Sequence, residues 1–571
     1  VTDPLLLLLP LSLALPLVLA GLSVLPGWRA HSLAVLPLAP LPALAAALLA
    51  PRGAEMVFPD LLLGMRLGLD PVGVYFLGGA ALLWTLSGVY AARYMTGKDR
   101  PGGFALFWNL VLAGNLVVFL ATDAVTFYVA FAQVSLMAYP LITHDRSARA
   151  LKAGTVYIAL AVVGETALLL GLMLGAAEAG NSLMIADIRS AIAGSDARGA
   201  ILALLIAGFG IKAGLIPLHV WLPVAHPAAP TPASAVLSGA IVKAGIFGLI
   251  AFLPFAAGVT GWGLALAGLG FSGAVLAALY GTAQTNPKAV LAYSTVSQMG
   301  LLMGALGIAL IAEAPPGPAL FAAALYALHH GLAKGALFLG VGVMQTSAGA
   351  WRKAGLALLA LAALSVAGLP LTGGALAKIA LKGAAGGLAE LIITASALTT
   401  ALVLARFLAV LPKAEPDARP PLAMLVPMGA LAFAALLLPA ILFTGAAGED
   451  LAYALSLSNL FAGVWPLALA ALAVIIVLRL KPRAPALPEG DLLIPATALG
   501  QAVWRGLAHA AHRAGTSLSA LPRRLVPKGS FLVPLSALMG RVETRLGTAP
   551  AIALLAALLV IALVWSGLAP D

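Results

Sequence analysis

The sequence predicts an all-α polytopic membrane protein, and three observations carry that reading. Of its 571 residues 62% are hydrophobic and only 9% charged, whereas a soluble chain needs roughly 25% charged residues to dress its surface. Apolar runs of about 20 residues, each long enough to cross a bilayer core, recur along nearly the whole length. Basic residues gather in alternate loops between those runs instead of in one tail or patch.

Sixteen spans can be read, near 4–25, 31–50, 70–92, 104–121, 123–143, 153–176, 200–221, 233–255, 259–281, 289–311, 318–345, 355–381, 388–411, 421–444, 459–479 and 549–567. The first has no basic leader and no clear cleavage site, so a retained helix is expected rather than a signal peptide. Loops after odd-numbered spans are basic: Arg93, Lys98 and Arg100; Arg146, Arg149 and Lys152; Lys288; Arg352 and Lys353; Lys413 and Arg419. Loops after even-numbered spans are poorer in positive charge, with Glu178, Asp187 and Asp196 exceeding Arg189 and Arg198. The positive-inside rule then puts the odd loops in the cytoplasm and both termini on the outer face of an inner (plasma) membrane.

Residues 481–548 are the largest interruption of the apolar rhythm. Leu499, Val503, Leu507 and Ala510 recur at helical spacing, with Arg505, His509, His512 and Arg513 largely opposite. An amphipathic helix on the cytoplasmic membrane surface is expected, confined by Pro495 and Pro522 to roughly 496–521. The alternative is a basic linker without structure. Span 549–567 would anchor it.

Composition removes several function classes. There is no cysteine, which excludes disulfides, thiol catalysis and cysteine-ligated iron–sulfur clusters within this chain. Redox chemistry would belong to partner subunits, and no cofactor is expected here. The net charge of +11 follows the loops, not a basic tail, so no nucleic-acid partner is expected. No phosphate-binding glycine loop, paired-carboxylate site, zinc-protease motif or nucleophile triad is found, which leaves an ATP-driven pump or membrane protease unsupported.

Charge inside the apolar runs carries the functional signal. Lys212 lies in the run Ile201–Trp221, which Pro217 breaks and which His219 and His226 follow. A lysine at mid-span costs about 3 kcal/mol on insertion scales, and such residues are functional by default. A proline there frees backbone groups that are tolerated only against protein or a wet cavity. Lys378 follows a second interruption, Pro370 with Gly373 and Gly374. Two broken spans of this kind are the best sequence pointer to a transport site.

The stretch Gly208–Gly245, GFGIKAGLIPLHVWLPVAHPAAPTPASAVLSGAIVKAG, resembles the antiporter-like subunits of respiratory complex I, of Mrp-type Na⁺/H⁺ antiporters and of group 4 hydrogenases. Further matches are NPKAVLAYSTVSQMG (Asn286–Gly300), HGLAK (His330–Lys334), GLPLTGGALAK (Gly368–Lys378) and LDP (Leu69–Pro71) with Tyr94 and Met95. The resemblance covers roughly residues 65–445. It implies two inverted five-helix repeats, each with a broken helix carrying a central lysine or glutamate. Lys212 is the first such residue and Lys378 the second. Lys243 and Lys334 match the residues that connect the half-channels, and His330 matches a family histidine. The histidine usual four positions earlier is Tyr326 here. His219 and His226 would line an access path, and His329 is read as packing.

The organisation so implied is N-terminal spans in 1–100, a first repeat in 101–257, a second in 258–412, extra spans in 413–480, the lateral segment 481–548 and the anchor 549–571. The implied activity is proton translocation, alone or in exchange for Na⁺, in a complex with other integral membrane subunits. Whether those are of respiratory, hydrogenase-like or Mrp type stays open. Burial disfavours the charged form of an amine and a nearby carboxylate favours it, so a lysine can switch when its acidic partner does.

One departure matters. The family glutamate on the fifth span falls on Ala132, beside Gln133. In one reading Glu165, in Val162–Thr166 (VVGET), substitutes for it as partner of Lys212. In the other the subunit is a non-pumping scaffold or a one-way proton conduit.

Overall fold

The structure is a computed structural model describing residues 3–313, 315–480 and 487–490. Nearly all the described residues fall in one compact unit, made of Val1–Phe58 and Met65–Glu489. The expected surface helix and the last anchor span lie outside the described residues.

This unit is built from helices α1 (Leu8–Leu22), α2 (Leu41–Leu49), α3 (Gly73–Tyr94), α4 (Pro101–Val118), α5 (Ala124–Ile142), α6 (Ala148–Glu178), α7 (Ile185–Gly194), α8 (Arg198–Ala213), α9 (Trp221–Ala228), α10 (Thr231–Val236), α11 (Val242–Phe252), α12 (Thr260–Thr282), α13 (Pro287–Ile311), α14 (Gly317–Gln345), α15 (Gly349–Ala367), α16 (Gly373–Ala385), α17 (Gly387–Ala409), α18 (Leu422–Ala447), α19 (Leu451–Ala454) and α20 (Leu457–Leu480). Two short strands, β1 (Glu55–Phe58) and β2 (Met65–Gly68), pair antiparallel with Glu55 opposite Gly68. They are the exception to an all-helical chain among the described residues.

Thirteen helices among the described residues are long and apolar enough to cross a membrane. The sequence reading of sixteen is corrected at two places, and a third run lies outside the described residues. Residues 31–50 give a run of turns and only the nine-residue α2, because Pro37, Pro40 and Pro42 each withhold an amide donor. Residues 200–221 divide into α8 and a continuation beyond a break. Residues 549–567 are not described. The run 355–381 holds one spanning helix, α15, and then a second break before α16.

Both breaks share one device. α8 stops at Gly214 (φ +83°) and α15 at Gly368 (φ +94°), the left-handed cap that only glycine takes without penalty. Restarts are specified too: Asp123, Ser147, Asn286 and Thr372 cap α5, α6, α13 and α16 through their side chains.

Burial falls from the centre outwards. The apolar window of α14 is 100% buried and that of Thr231–Phe252 is 94% buried, against 11% for α20. Between α10 and α11 the helix widens into one π-turn, Leu237–Ile241. There Gly239 packs against Gly331 of α14 so closely that a methyl on either would run into the other's carbonyl. Small residues at such a crossing let two membrane helices meet backbone to backbone.

The second cap can be tested directly. A side chain at Gly368 would need a left-handed backbone and would press on Lys378; Gly368→Ala is expected to cost about 1–2 kcal/mol and lower the unfolding midpoint in detergent. Gly383, on the same α16 but facing open space, should accept alanine with no loss.

Candidate functional site

Five lysines are buried among the described residues: Lys212, Lys243, Lys334, Lys378 and Lys382. The sequence pointed to four of them. Each has an oxygen partner, and together they fall into three groups.

The first group joins α5, α6 and α8. Lys212 in the last turn of α8 donates to the Ser135 hydroxyl, and that hydroxyl donates to a Glu165 carboxylate oxygen. The direct ammonium–carboxylate distance is 3.8 Å. The Phe131 ring lies 4.7 Å from the same ammonium. Tyr157 donates to the Ser135 carbonyl (2.9 Å), and Trp221 on α9 donates back to Ile211 of α8 (2.7 Å), tying the two sides of the break. The space left at this group is only about 10 Å³.

The second group lies where the π-turn meets α14. Lys243 donates to the Ser238 carbonyl in the widened turn (2.5 Å) and lies 2.8 Å from His330 Nδ1. Lys334, one turn along α14 from His330, donates to the Leu291 carbonyl (3.0 Å). His226 stacks on Phe338 at 4.6 Å between centroids, one further turn along the same helix. It therefore belongs with this group rather than with Lys212. His219 is buried in the connection after α8, its ring 6.3 Å from that of Tyr293.

The third group surrounds the second break. Lys378 donates to the Ala367 carbonyl (3.0 Å), the last of α15, and more weakly to the Ser396 hydroxyl (3.5 Å). A terminal helix carbonyl lacks an intrahelical partner and carries the negative end of the helix dipole, so it suits a cation. Lys378 lines a cavity of about 220 Å³ with Lys382, Thr394 and Asn459 among otherwise mostly apolar neighbours. Lys382 pairs with Glu390 at 3.5 Å.

Ser135, Glu165, His330 and Ser396 lie near the midpoints of their helices, and Lys243 lies near the middle of the span Thr231–Phe252. No direct hydrogen bond or ion pair links one group to another among the described residues. What runs from α14 towards Lys378 is a buried polar series: Tyr326 donates to Gln298, Gln298 to Thr400 (3.0 Å), and Thr400 to the Ser396 carbonyl (2.7 Å).

Against known proteins, residues 121–405 match the family described as NADH:quinone oxidoreductase/Mrp antiporter, TM. Through this core the chain belongs to that antiporter family. It is 33% identical over 298 residues to hydrogenase-4 component B of Escherichia coli (strain K12), covering 50% of this chain and 44% of that one. It is 33% identical over 347 residues to NADH-quinone oxidoreductase subunit N of Desulforudis audaxviator (strain MP104C), covering 55% and 65%. Its fold matches a chain in the Mrp complex from Dietzia sp. DQ12-45-1b, with TM-score 0.71 and 25% identity over 98% of this chain and 68% of that one. The match spans less than half of hydrogenase-4 component B.

Within the antiporter-family core, the structure adds residues that the sequence reading passed over. Ser135 lies three positions after Ala132, a spacing that shares a helix face, and it stands between Lys212 and Glu165. Gln133 is turned to the Leu110 carbonyl (2.8 Å) and takes no part. His329, read as packing, makes a polar contact with Ser365 (2.9 Å) at the second break. Lys382, Gln298 and Thr400 were not singled out at all.

The Lys212–Glu165 pair makes a stability prediction. Glu165→Leu strands a buried cation and should destabilise by about 3–5 kcal/mol, whereas Glu165→Leu with Lys212→Met should recover most of that loss. Thermal unfolding of the single and double variants in detergent reads the difference.

Proposed function

We propose that this chain is the proton-translocating membrane subunit of a multisubunit complex. Protons would move at mid-membrane through Glu165 and Lys212, then Lys243, His330 and Lys334, then Lys378. The observation that carries the reading is the placement of Lys243 and Lys334 near the middle of their spans and of Lys212 and Lys378 beside helix breaks, each on an oxygen or imidazole. In this reading 101–257 and 258–412 are two repeats with one half-channel each. His219 lines the approach from the first break, and His226 lies further on, beside the central group.

A buried lysine at such a position works by changing charge. Glu165 holds the Lys212 ammonium through Ser135; when that carboxylate is neutralised, the ammonium loses its counter-charge and its proton is released towards the central group. Lys243 and His330, 2.8 Å apart, pass a proton without moving the backbone. The terminal carbonyl at Ala367 holds Lys378 for the next transfer. The relatives' names, hydrogenase-4 component B and NADH-quinone oxidoreductase subunit N, support partners that are other membrane subunits of a redox or Mrp-type assembly. Na⁺ as the exchanged ion is the alternative within the same reading. The basic loops favour an inner (plasma) membrane location with those loops in the cytoplasm and the termini outside.

A second reading, a one-way conduit or scaffold with a silent first site, draws on the tight packing there. About 10 Å³ at Lys212 barely admits one water, against about 220 Å³ at Lys378.

Proton flux into everted vesicles carrying the assembled complex separates them. Lys378→Ala should reduce flux to background with the complex still assembled, and Glu165→Gln should slow it about a hundredfold, as for loss of a positioned proton-transfer group. Full flux in Lys378→Ala rejects conduction along this route. Full flux in Glu165→Gln alone leaves the one-way reading.

A further inference from the structure

Lys378 has no carboxylate at contact distance, and its described partners are a carbonyl and a hydroxyl. Yet one turn further along α16 a second buried lysine, Lys382, faces the same cavity and is paired with an acid, Glu390, across the tight turn at Gly386. The side chain of Glu390 is 49% exposed while that of Lys382 is 10% exposed. The pair thus joins the wall of the Lys378 cavity to an exposed carboxylate.

Helix-end electrostatics alone would also bring these two together. Lys382 is in the last turn of α16 and Glu390 in the first turn of α17, where each charge suits its helix dipole. That explains the signs of the charges. It does not explain why the lysine is buried on the cavity wall, where a cation is costly, instead of reaching water as a long side chain at a helix end readily does.

We infer that Lys382 and Glu390 form the outer gate of the Lys378 site, with Glu390 as the group that exchanges protons with the aqueous phase. This rests on the proton-conducting reading and deepens it. The cavity is large enough for about seven waters at ~30 Å³ each. An N–H bond of the Lys378 ammonium breaks, cavity water carries the proton, and an O–H bond forms on the Glu390 carboxylate, which then releases the proton to bulk water. While Glu390 is ionised it cancels the charge of Lys382. Once Glu390 is protonated, Lys382 is an uncompensated cation one helical turn from Lys378 and repels a second cation there. Return of the proton to Lys378 is thereby opposed until Glu390 has discharged outwards.

The test uses the full-length chain in its assembly, with proton flux across vesicles under an imposed membrane potential, and thermal unfolding of the same preparation. Glu390→Gln keeps shape and hydrogen bonding but cannot carry the proton; flux should fall to background with the complex still assembled, and Glu390→Asp should restore a substantial part of it. Lys378→Ala serves as reference. Wild-type flux in Glu390→Gln while Lys378→Ala is inactive overturns the gate and leaves the conduction reading standing. Wild-type flux in both overturns both. A flux loss in Glu390→Gln that merely follows lost assembly assigns the pair to structure and also overturns the gate.

Discussion

The 3.0 Å contact between the Lys378 ammonium and the Ala367 carbonyl shows what the interior of this protein must supply. An ammonium removed from water costs several kcal/mol unless oxygens replace its hydration. In a bundle of apolar helices nearly all carbonyls are already bonded within their own helix. Oxygens are offered most readily where a helix ends or widens, or where a side chain brings one in, although Lys334 shares the Leu291 carbonyl inside α13. Lys378 takes the first route, at a helix stopped by Gly368. Lys243 takes an oxygen in the π-turn. Lys212 takes the last, through Ser135 and Glu165.

Irregular backbone and buried charge are therefore one feature. Gly214 and Gly368 stop helices inside the bundle, and a lysine lies close to each stop. The close crossing of Gly239 and Gly331 brings the π-turn onto α14 and so sets Lys243 beside His330. The two break sites differ in fill. The first is closed around a direct acid–base pair, and the second opens on a cavity. That difference suits one end that holds a proton tightly and one that hands it to water.

The parts legible in the sequence were those that violate local expectation. Lys212, Lys378 and Glu165 are charges inside apolar runs, and Pro217 and Pro370 mark the interruptions, so the local pattern marks them and agrees with the family resemblance. Ser135, Gln298, Thr400 and Tyr326 are ordinary residues of membrane helices, and only their meeting in space gives them a role. Lys382 and Glu390 fall at the edge of a span, where charge is expected, so nothing marked Lys382 as buried. Hydropathy misread residues 31–50, since it counts apolar side chains and ignores the amide donors that Pro37, Pro40 and Pro42 lack. The hairpin of β1 and β2 was missed for a related reason: four-residue strands between long apolar runs leave too short a pattern to read.

The most direct measurement is an experimental map of the intact assembly in lipid, at a resolution that shows ordered water around the central lysines. A continuous file of water from Lys334 past Tyr326 and Thr400 to Lys378, and on to Glu390, is the expected result. Dry apolar packing between those side chains, with Lys334 and Lys378 isolated from each other and from either membrane face, would contradict proton conduction by this chain.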